Sequence, residues 1–365
     1  MRVLVANAGS SSLKLTLLDA DDRELWTRQL DAPRDFVECA AVAGALADLP
    51  DAPEVVGHRI VHGGDSFDAA VELDPQVLAA LQELTALAPL HQPKSLAAVD
   101  AVCRALPGVP EVACFDTAFH TTLPPAAFTY ALPREWRRRF GLRRYGFHGL
   151  SHSYAAGRAR KLAAPTLRMV TCHLGAGASL CAVLEGRSVD TTMGFTPLEG
   201  LAMATRSGSV DPGLLLWLQE HAGVSASGMA HALEHDSGMV GLAGTPDMRE
   251  VLRRDDADAR LALDVYVHRL RAGIGAMAAT LGGLDALVFT GGVGERSPRV
   301  RGLACDRLSH LGVAIDPSRN DAVDGDADVR APESSVAVLV VRAREDLEIA
   351  RQARALLRPE RLQRL

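Results

Sequence analysis

Hydrophobic residues fall into short blocks along the chain, and one arrangement of blocks occurs twice. Val3–Ala6 reads as a buried strand that breaks at Asn7-Ala8-Gly9-Ser10-Ser11-Ser12 and resumes over Leu13–Leu18 with the alternation of a hairpin's return strand. Met169–Cys172, a glycine-rich turn from His173 to Ser179, and a return over Leu180–Leu184 repeat that plan. Ala8-Gly9-Ser10-Ser11-Ser12-Leu13 even matches Ala176-Gly177-Ala178-Ser179-Leu180 with one gap. The expectation is an internal duplication, two similar α/β halves with a cleft between them.

Leu263, Val267, Leu270, Ile274, Met277 and Leu281 recur at spacings of four and three, one face of a long core helix. Within it, Gly273-x-Gly275-x-x-Ala278 imitates a dinucleotide fingerprint but follows no strand and opens no helix. Asp285–Thr290 reads as a strand entering a glycine loop over Gly291–Glu295. Val336–Val341 is a strand, and Glu345–Leu357 is a helix placed to cross back onto the first half. Arg134–Arg144 reads as a surface helix and Gly149 to Pro165 as a connector, so the boundary falls near residue 150. The expected domains are 1–150 plus 346–365, and 151–345. The acidic tract Asn320–Asp328 has its glycine misplaced for an EF-hand loop and reads as solvated.

Composition narrows the class. The chain has 365 residues, 48% hydrophobic and 23% charged, enough for two globular domains and unlike a disordered chain. A net charge of −6 lacks the basic field that nucleic acid requires. No stretch reaches the ~18 apolar residues of a membrane helix. The six cysteines form no CxxC pair and sit mostly in apolar stretches, which points to buried thiols in a reducing cytoplasm. Lysine occurs only at Lys14, Lys94 and Lys161, so most positive charge is arginine, suited to a bidentate grip on carboxylate or phosphate.

No Walker A loop, HExxH or GxSxG is present. Glycine-rich turns follow strands at Asn7–Ser12, Gly63-Gly64, His173–Gly177 and Gly291–Gly294, where backbone N–H groups can approach phosphate oxygens. Arg, His and Asp are set among apolar or glycine neighbours in Gly57–Gly64, Pro89-Leu90-His91, Phe115–His120, Tyr145–Gly149 and Ala204–Gly208. Charges in such surroundings are costly unless paired or working.

Asn7–Lys14, Gly57–Gly64, Phe115–His120, Arg144–Gly149 and Thr192–Leu201 closely resemble, in order over nearly the whole chain, the signatures of the acetate kinase family. The resemblance implies the fold shared with actin, Hsp70 ATPase domains and sugar kinases: duplicated actin-like, ribonuclease H-like α/β domains flanking a nucleotide cleft. It implies the reaction ATP + acetate ⇌ ADP + acetyl phosphate, with Mg²⁺ required and Mn²⁺ able to replace it, in a homodimer. By the same resemblance Asn7 and Glu345 lie near the metal and Lys14 near the nucleotide. Arg59 and Arg206 hold carboxylate and transferring phosphoryl group, Asp116 is the active-site acid, and His148 is a transition-state donor. His173, Leu174, Gly175, Ala176, Gly177, Pro246, Asp247, Met248, Gly292, Val293, Gly294, Glu295 and Arg296 fall on nucleotide-binding segments. Val61, Leu90, Phe147 and Pro197 fall on the apolar pocket for the acetate methyl.

The chemistry is coherent, because a carboxylate is ionised at pH 7 and needs no base to become a nucleophile; positioning and charge neutralisation are the task. Asp116 then reads as orienting an arginine or the metal rather than taking a proton. The chain departs from the family pattern at Ala176 and Ala178 of the phosphate turn, at Arg296, at Ala343-Arg344-Glu345-Asp346 and at His91-Gln92-Pro93. The catalytic charges remain while the nucleotide contacts drift. A propionate or butyrate kinase, or an actin- or Hsp70-like nucleotide-binding module, is the alternative.

Overall fold

The structure is a computed structural model and describes residues 1–9, 12–31, 37–88 and 92–357. Leu90, His91, Ser10 and Ser11 therefore lie outside the described residues. The chain divides into two compact units: Met1–Thr121, Phe147–Tyr154 and the chain from Arg344 on form the first, Thr122–Gly146 and Ala155–Ala343 the second.

Unit 1 is built on β1 (Val3–Ala8), β2 (Ser12–Leu18), β3 (Glu24–Asp31), β4 (Val55–Ile60), β5 (Val71–Glu72) and β6 (Glu111–Phe115), in the spatial order β3-β2-β1-β4-β6-β5. β1, β2 and β3 form an antiparallel meander, β1, β4 and β6 run parallel, and β5 is antiparallel to β6. The apolar run Val3-Leu4-Val5-Ala6 is continuous because both faces of the parallel sheet are covered. Val3 and Val5 pack with Ile349, Ala350 and Ala353 of the helix Glu345–Leu357, while Leu4 and Ala6 share a core with Val42, Ala98 and Val102 on the other face. That C-terminal helix lies so close to β4 that a Cβ at Gly57 would stand 2.5 Å from Ile349 Cγ2.

Unit 2 repeats the plan with β7 (Arg168–Leu174), β8 (Ala178–Leu184), β9 (Arg187–Thr191), β10 (Ala286–Thr290), β11 (Ala327–Asp328) and β12 (Ala337–Val340), ordered β11-β12-β10-β7-β8-β9. β7, β8 and β9 form the meander, β7, β10 and β12 run parallel, and β11 is the antiparallel edge. The two sheets are thus the same topology twice, that of the actin-like, ribonuclease H-like fold. The duplication expected from the two turn words is present in the strand order itself.

The periodic helix spans Ala257–Leu281 with Leu263, Val267, Leu270, Ile274, Met277 and Leu281 all buried. Its Gly273 faces Leu180 of β8, where a Cβ would come within 2.7 Å of Cδ1, so the imitation fingerprint marks helix-on-sheet packing. Two expectations need correction. Gly291–Glu295 is not a loop: the helix Gly291–Arg296 starts directly after β10. The stretch read as a connector after Gly149 is the helix Gly149–Leu162. Cys114, Cys172, Cys181 and Cys305 are buried thiols, whereas Cys39 and Cys103 are exposed. Among the described residues no helix is long and apolar enough to cross a membrane.

Candidate active site

In unit 1 the polar residues gather at the carboxyl ends of parallel strands, the edge where α/β sheets bind ligands. Asn7 ends β1, Arg59 lies near the end of β4, and Asp116 directly follows β6, its N–H donating to Ile60 O at 3.0 Å. Arg59 Nη2 donates to Asp116 Oδ2 at 2.6 Å, and its Nε lies 3.1 and 3.2 Å from Oδ1 and Oδ2. Arg59 Nη1 donates to Asn7 Oδ1 at 3.3 Å and stands 3.9 Å from Glu345 Oε2. Asn7 Nδ2 closes the cluster on Glu345 Oε2 at 2.8 Å. Burial pushes the Asp116 carboxyl up from the ordinary carboxylate range, and the Arg59 guanidinium on both its oxygens pulls it back. Burial depresses the Arg59 guanidinium, but Asp116 and Glu345 hold it above its usual value, so it stays a cation.

Asp116 also fixes the next candidate. Its carboxylate accepts the backbone N–H of His148, and its carbonyl accepts from Gly149 N at 2.8 Å. His148 sits at φ 57°, a left-handed conformation that costs a non-glycine residue on the order of 1 kcal/mol and persists only where surroundings impose it. Gly149 must be glycine, since its Cβ would strike the Asp116 carbonyl. Val61 and Phe147 are buried in the same unit, and the Phe147 ring meets His62 edge-on at 5.5 Å. Gln92 clasps the His62 backbone, accepting from N and donating to O at 3.2 Å each, so the departure from the family's asparagine keeps a structural task. Lys14 is exposed on β2, paired in register with Asn7.

A magnesium ion carried by nucleotide phosphates needs only one or two protein oxygens, the rest of its octahedron being phosphate and water. Glu345 supplies a carboxylate oxygen, a hard donor that fits such an ion, and the Asn7 amide lies beside it, its Nδ2 on that carboxylate and its Oδ1 on Arg59 Nη1. Among the described residues no group of three or more His, Cys, Asp or Glu forms a resident metal cage.

Unit 2 carries the other cation. The loop after β9 is held rigid by Arg144, which donates to the carbonyls of Thr191, Thr192 and Met193 at 3.0–3.1 Å and pairs with Glu199 at 2.8 Å. Tyr130 Oη joins Glu199 at 2.5 Å and accepts from Phe195 N. Pro197, in this loop, offers its carbonyl to Arg206 Nη1 at 3.4 Å. Arg206 Nε stands 3.1 Å from Glu234 Oε2 in an ion pair. Gly238, at φ 60°, lies against the carbonyls of Met203 and Arg206, an approach no Cβ allows.

A cavity of about 670 Å³ also lies in unit 2. Gly175 and Ala176 of the β7–β8 turn, Pro246, Asp247 and Met248, and Gly292, Val293 and Arg296 after β10 line it. Gly175 N donates to Gly177 O at 2.9 Å and closes the turn. Asp247 caps the helix Met248–Arg253, and the Arg249 guanidinium, 2.7 Å away, holds its carboxyl down at about 2. His173 and Leu174 lie on β7 rather than on the wall, Gly294 is buried, and Glu295 accepts from Ala343 N at 2.9 Å. Beneath this wall Arg301, 1% exposed, donates to Gly294 O, Glu295 O, Asn320 O and Asn320 Oδ1 at 2.7–2.9 Å.

Several residues escaped the sequence reading. Arg249, Tyr266 and Arg299 line the cavity, Arg301 holds carbonyls of the helix behind it, and Glu234 pairs with Arg206. Arg249 could have been found, since it lies two residues beyond Asp247 at the start of a helix; Glu234 and Arg301 give no local signal.

Residues 42–351 match the acetokinase family. The acetate kinase of Gloeobacter violaceus is 45% identical over 96% of this chain and 98% of its own, and that of Deinococcus radiodurans 44% over 96% and 97%. Among solved structures, Porphyromonas gingivalis acetate kinase superimposes with a TM-score of 0.89 at 36% identity, covering 98% of this chain and all of its own. A propionate kinase from Francisella tularensis gives 0.87 at 32%, covering 97% and 99%. A duplicated actin-like fold, an arginine–aspartate pair at the strand ends of unit 1 and these full-length likenesses lead to one conclusion: the chain belongs to the acetokinase family.

Proposed function

We propose that this chain catalyses reversible phosphoryl transfer from ATP to acetate, giving ADP and acetyl phosphate. The observation that carries the reading is the Arg59–Asp116 pair at the strand ends of unit 1, a guanidinium fixed in plane with a small buried apolar neighbourhood in the same unit. A module that only senses ATP has no use for such a carboxylate clamp.

On this reading Arg59 binds the acetate carboxylate, and Val61, Phe147 and Pro197 surround its methyl. One acetate oxygen forms a bond to the γ-phosphorus while the bond from phosphorus to the bridging β–γ oxygen breaks, and the electron pair leaves on ADP. No proton moves, because the nucleophile is already an anion. Charge accumulating on the phosphoryl oxygens is met by Arg206 and by a donor from His148. Asp116 acts by holding Arg59 in its plane and the His148 backbone in its strained turn. The glycine turns of unit 2, with Asp247 and Met248, take the nucleotide. Magnesium, held with the phosphates by Asn7 and Glu345, would supply further neutralisation of phosphate charge. The same family reading gives a homodimer in the cytoplasm.

Trapping the product with hydroxylamine tests the proposal. Acetate with ATP and Mg²⁺ should yield acetohydroxamate and ADP in equal amounts; ADP without hydroxamate, or a higher kcat/KM for propionate or butyrate, would overturn it.

A further inference from the structure

Arg206 is held by a carboxylate that no sequence motif announces. Glu234 is the penultimate residue of the helix Ala226–His235, and both partners of the pair are mostly buried, 15% and 14% exposed. An acidic side chain in the last turn faces the carbonyl end of the helix dipole, where cations are favoured. Sequences break such local rules where another requirement outweighs them.

The backbone makes the same connection. Thr205 Oγ1 donates to the carbonyl of Glu234 at 2.7 Å, and Ser207 N to that of Leu233 at 3.0 Å. Ser237 N donates to Thr205 O, and Met239 N and Val240 N donate to Met203 O and Ala204 O, at 2.9–3.0 Å. The segment bearing Arg206 is therefore stitched on both sides to the helix end bearing Glu234. With its backbone fixed and its Nε held, the guanidinium keeps one plane.

We propose that Glu234 is a positioning residue for phosphoryl transfer, fixing the Arg206 guanidinium through Nε so that its terminal nitrogens meet the transferring group without reorganisation. The inference rests on the role given to Arg206 above. A charge beside Arg206 weakens the field it offers to an anion, so what Glu234 contributes is an oxygen placed 3.1 Å from Nε rather than its charge. Its neutral isostere should therefore serve as well.

Steady-state kinetics with ATP and acetate test this on the full-length enzyme. Glu234→Ala is expected to lower kcat by ~10–100-fold, the loss typical of supporting partners, with KM for ATP moved less than about 3-fold. Glu234→Gln, which keeps an acceptor for Nε, is expected to stay within about 3-fold of wild type, and Glu234→Ala to add less than about 3-fold on top of Arg206→Ala. A structural ion pair would instead lower the melting temperature and leave kcat alone. Wild-type kcat in Glu234→Ala, or a loss in Glu234→Gln equal to that in Glu234→Ala, overturns the proposal while leaving the role of Arg206 intact. Wild-type activity in Arg206→Ala removes that role instead. Should Glu234→Ala not fold, Glu234→Asp draws the carboxylate back by one methylene and is expected to lower kcat; wild-type turnover there overturns the proposal.

Discussion

Arg59 presents its Nε and Nη2 edge to the Asp116 carboxylate, with the shortest bond, 2.6 Å, between Nη2 and Oδ2, and leaves Nη1 toward Asn7 and Glu345. One buried acid thus sets the plane of the cation proposed to bind acetate. Asp116→Asn keeps one hydrogen bond but removes the charge that holds the guanidinium, and is expected to lower kcat/KM for acetate by ~10–100-fold. Asp116→Ala should cost more, and also destabilise by roughly 3 kcal/mol, because it leaves Arg59 buried without its principal anion. Kinetics and urea denaturation on both variants check the two parts separately. Full activity in Asp116→Ala would contradict the orienting role.

Acyl selectivity should respond to Val61, buried next to His62 and in the unit that holds Phe147. An apolar wall discriminates one methylene by only ~1–3 kcal/mol, so preference for acetate is expected to be real and modest. Val61→Ala should raise kcat/KM for butyrate relative to acetate by roughly 10-fold, mostly through KM, because the carboxylate stays anchored. An unchanged ratio removes Val61 from the acyl pocket.

His62 gives the fold a pH dependence. Burial pulls its imidazole down to about 4, and its Nδ1 accepts from Gly64 N at 2.8 Å, so the ring is neutral in the native state. The unfolded ring takes its proton near pH 6.5. Native stability from this group is complete above pH ~6.5 and falls as pH drops to about 4, by roughly 3 kcal/mol in all. Urea midpoints between pH 7 and pH 4.5 should show that slope, and His62→Asn should flatten it. An identical slope in the variant would assign the effect elsewhere.

Arg301 supports the cavity from below. Its removal strips partners from three carbonyls at once, two of them buried, so Arg301→Met is expected to destabilise by about 3 kcal/mol or more. KM for ATP should rise while KM for acetate stays near wild type, because Gly294 and Glu295 belong to the helix Gly291–Arg296, whose Gly292, Val293 and Arg296 line the cavity of unit 2. Equal changes in both constants would show a global effect instead.

The duplication was legible because two strand-turn-strand words carry it, and the helices Ala257–Leu281 and Glu345–Leu357 because their apolar positions recur on one face. The helix Gly291–Arg296 was not legible. Its three glycines each disfavour helix by ~1 kcal/mol, and what holds it is Arg301, beyond its C-terminal end, donating to its last carbonyls. Motifs brought forward Arg59, Asp116 and Arg206, but not the carboxylate that fixes Arg206. Glu234 lies in an unremarkable helix, and its pairing exists only after the chain folds 203–207 against the helix end. The Asp116 partnership could be guessed from chemistry alone; its geometry could not.

The proposed phosphoryl transfer to acetate is tested most directly by turnover in Arg206→Ala, following acetohydroxamate and ADP together with saturating ATP and acetate. The reading expects the variant to stay folded, at some cost in stability from the unpaired Glu234, and its kcat to fall by ~10³-fold, with hydroxamate and ADP still formed one to one. Turnover equal to wild type, or ADP released without hydroxamate in the wild-type enzyme, would contradict it.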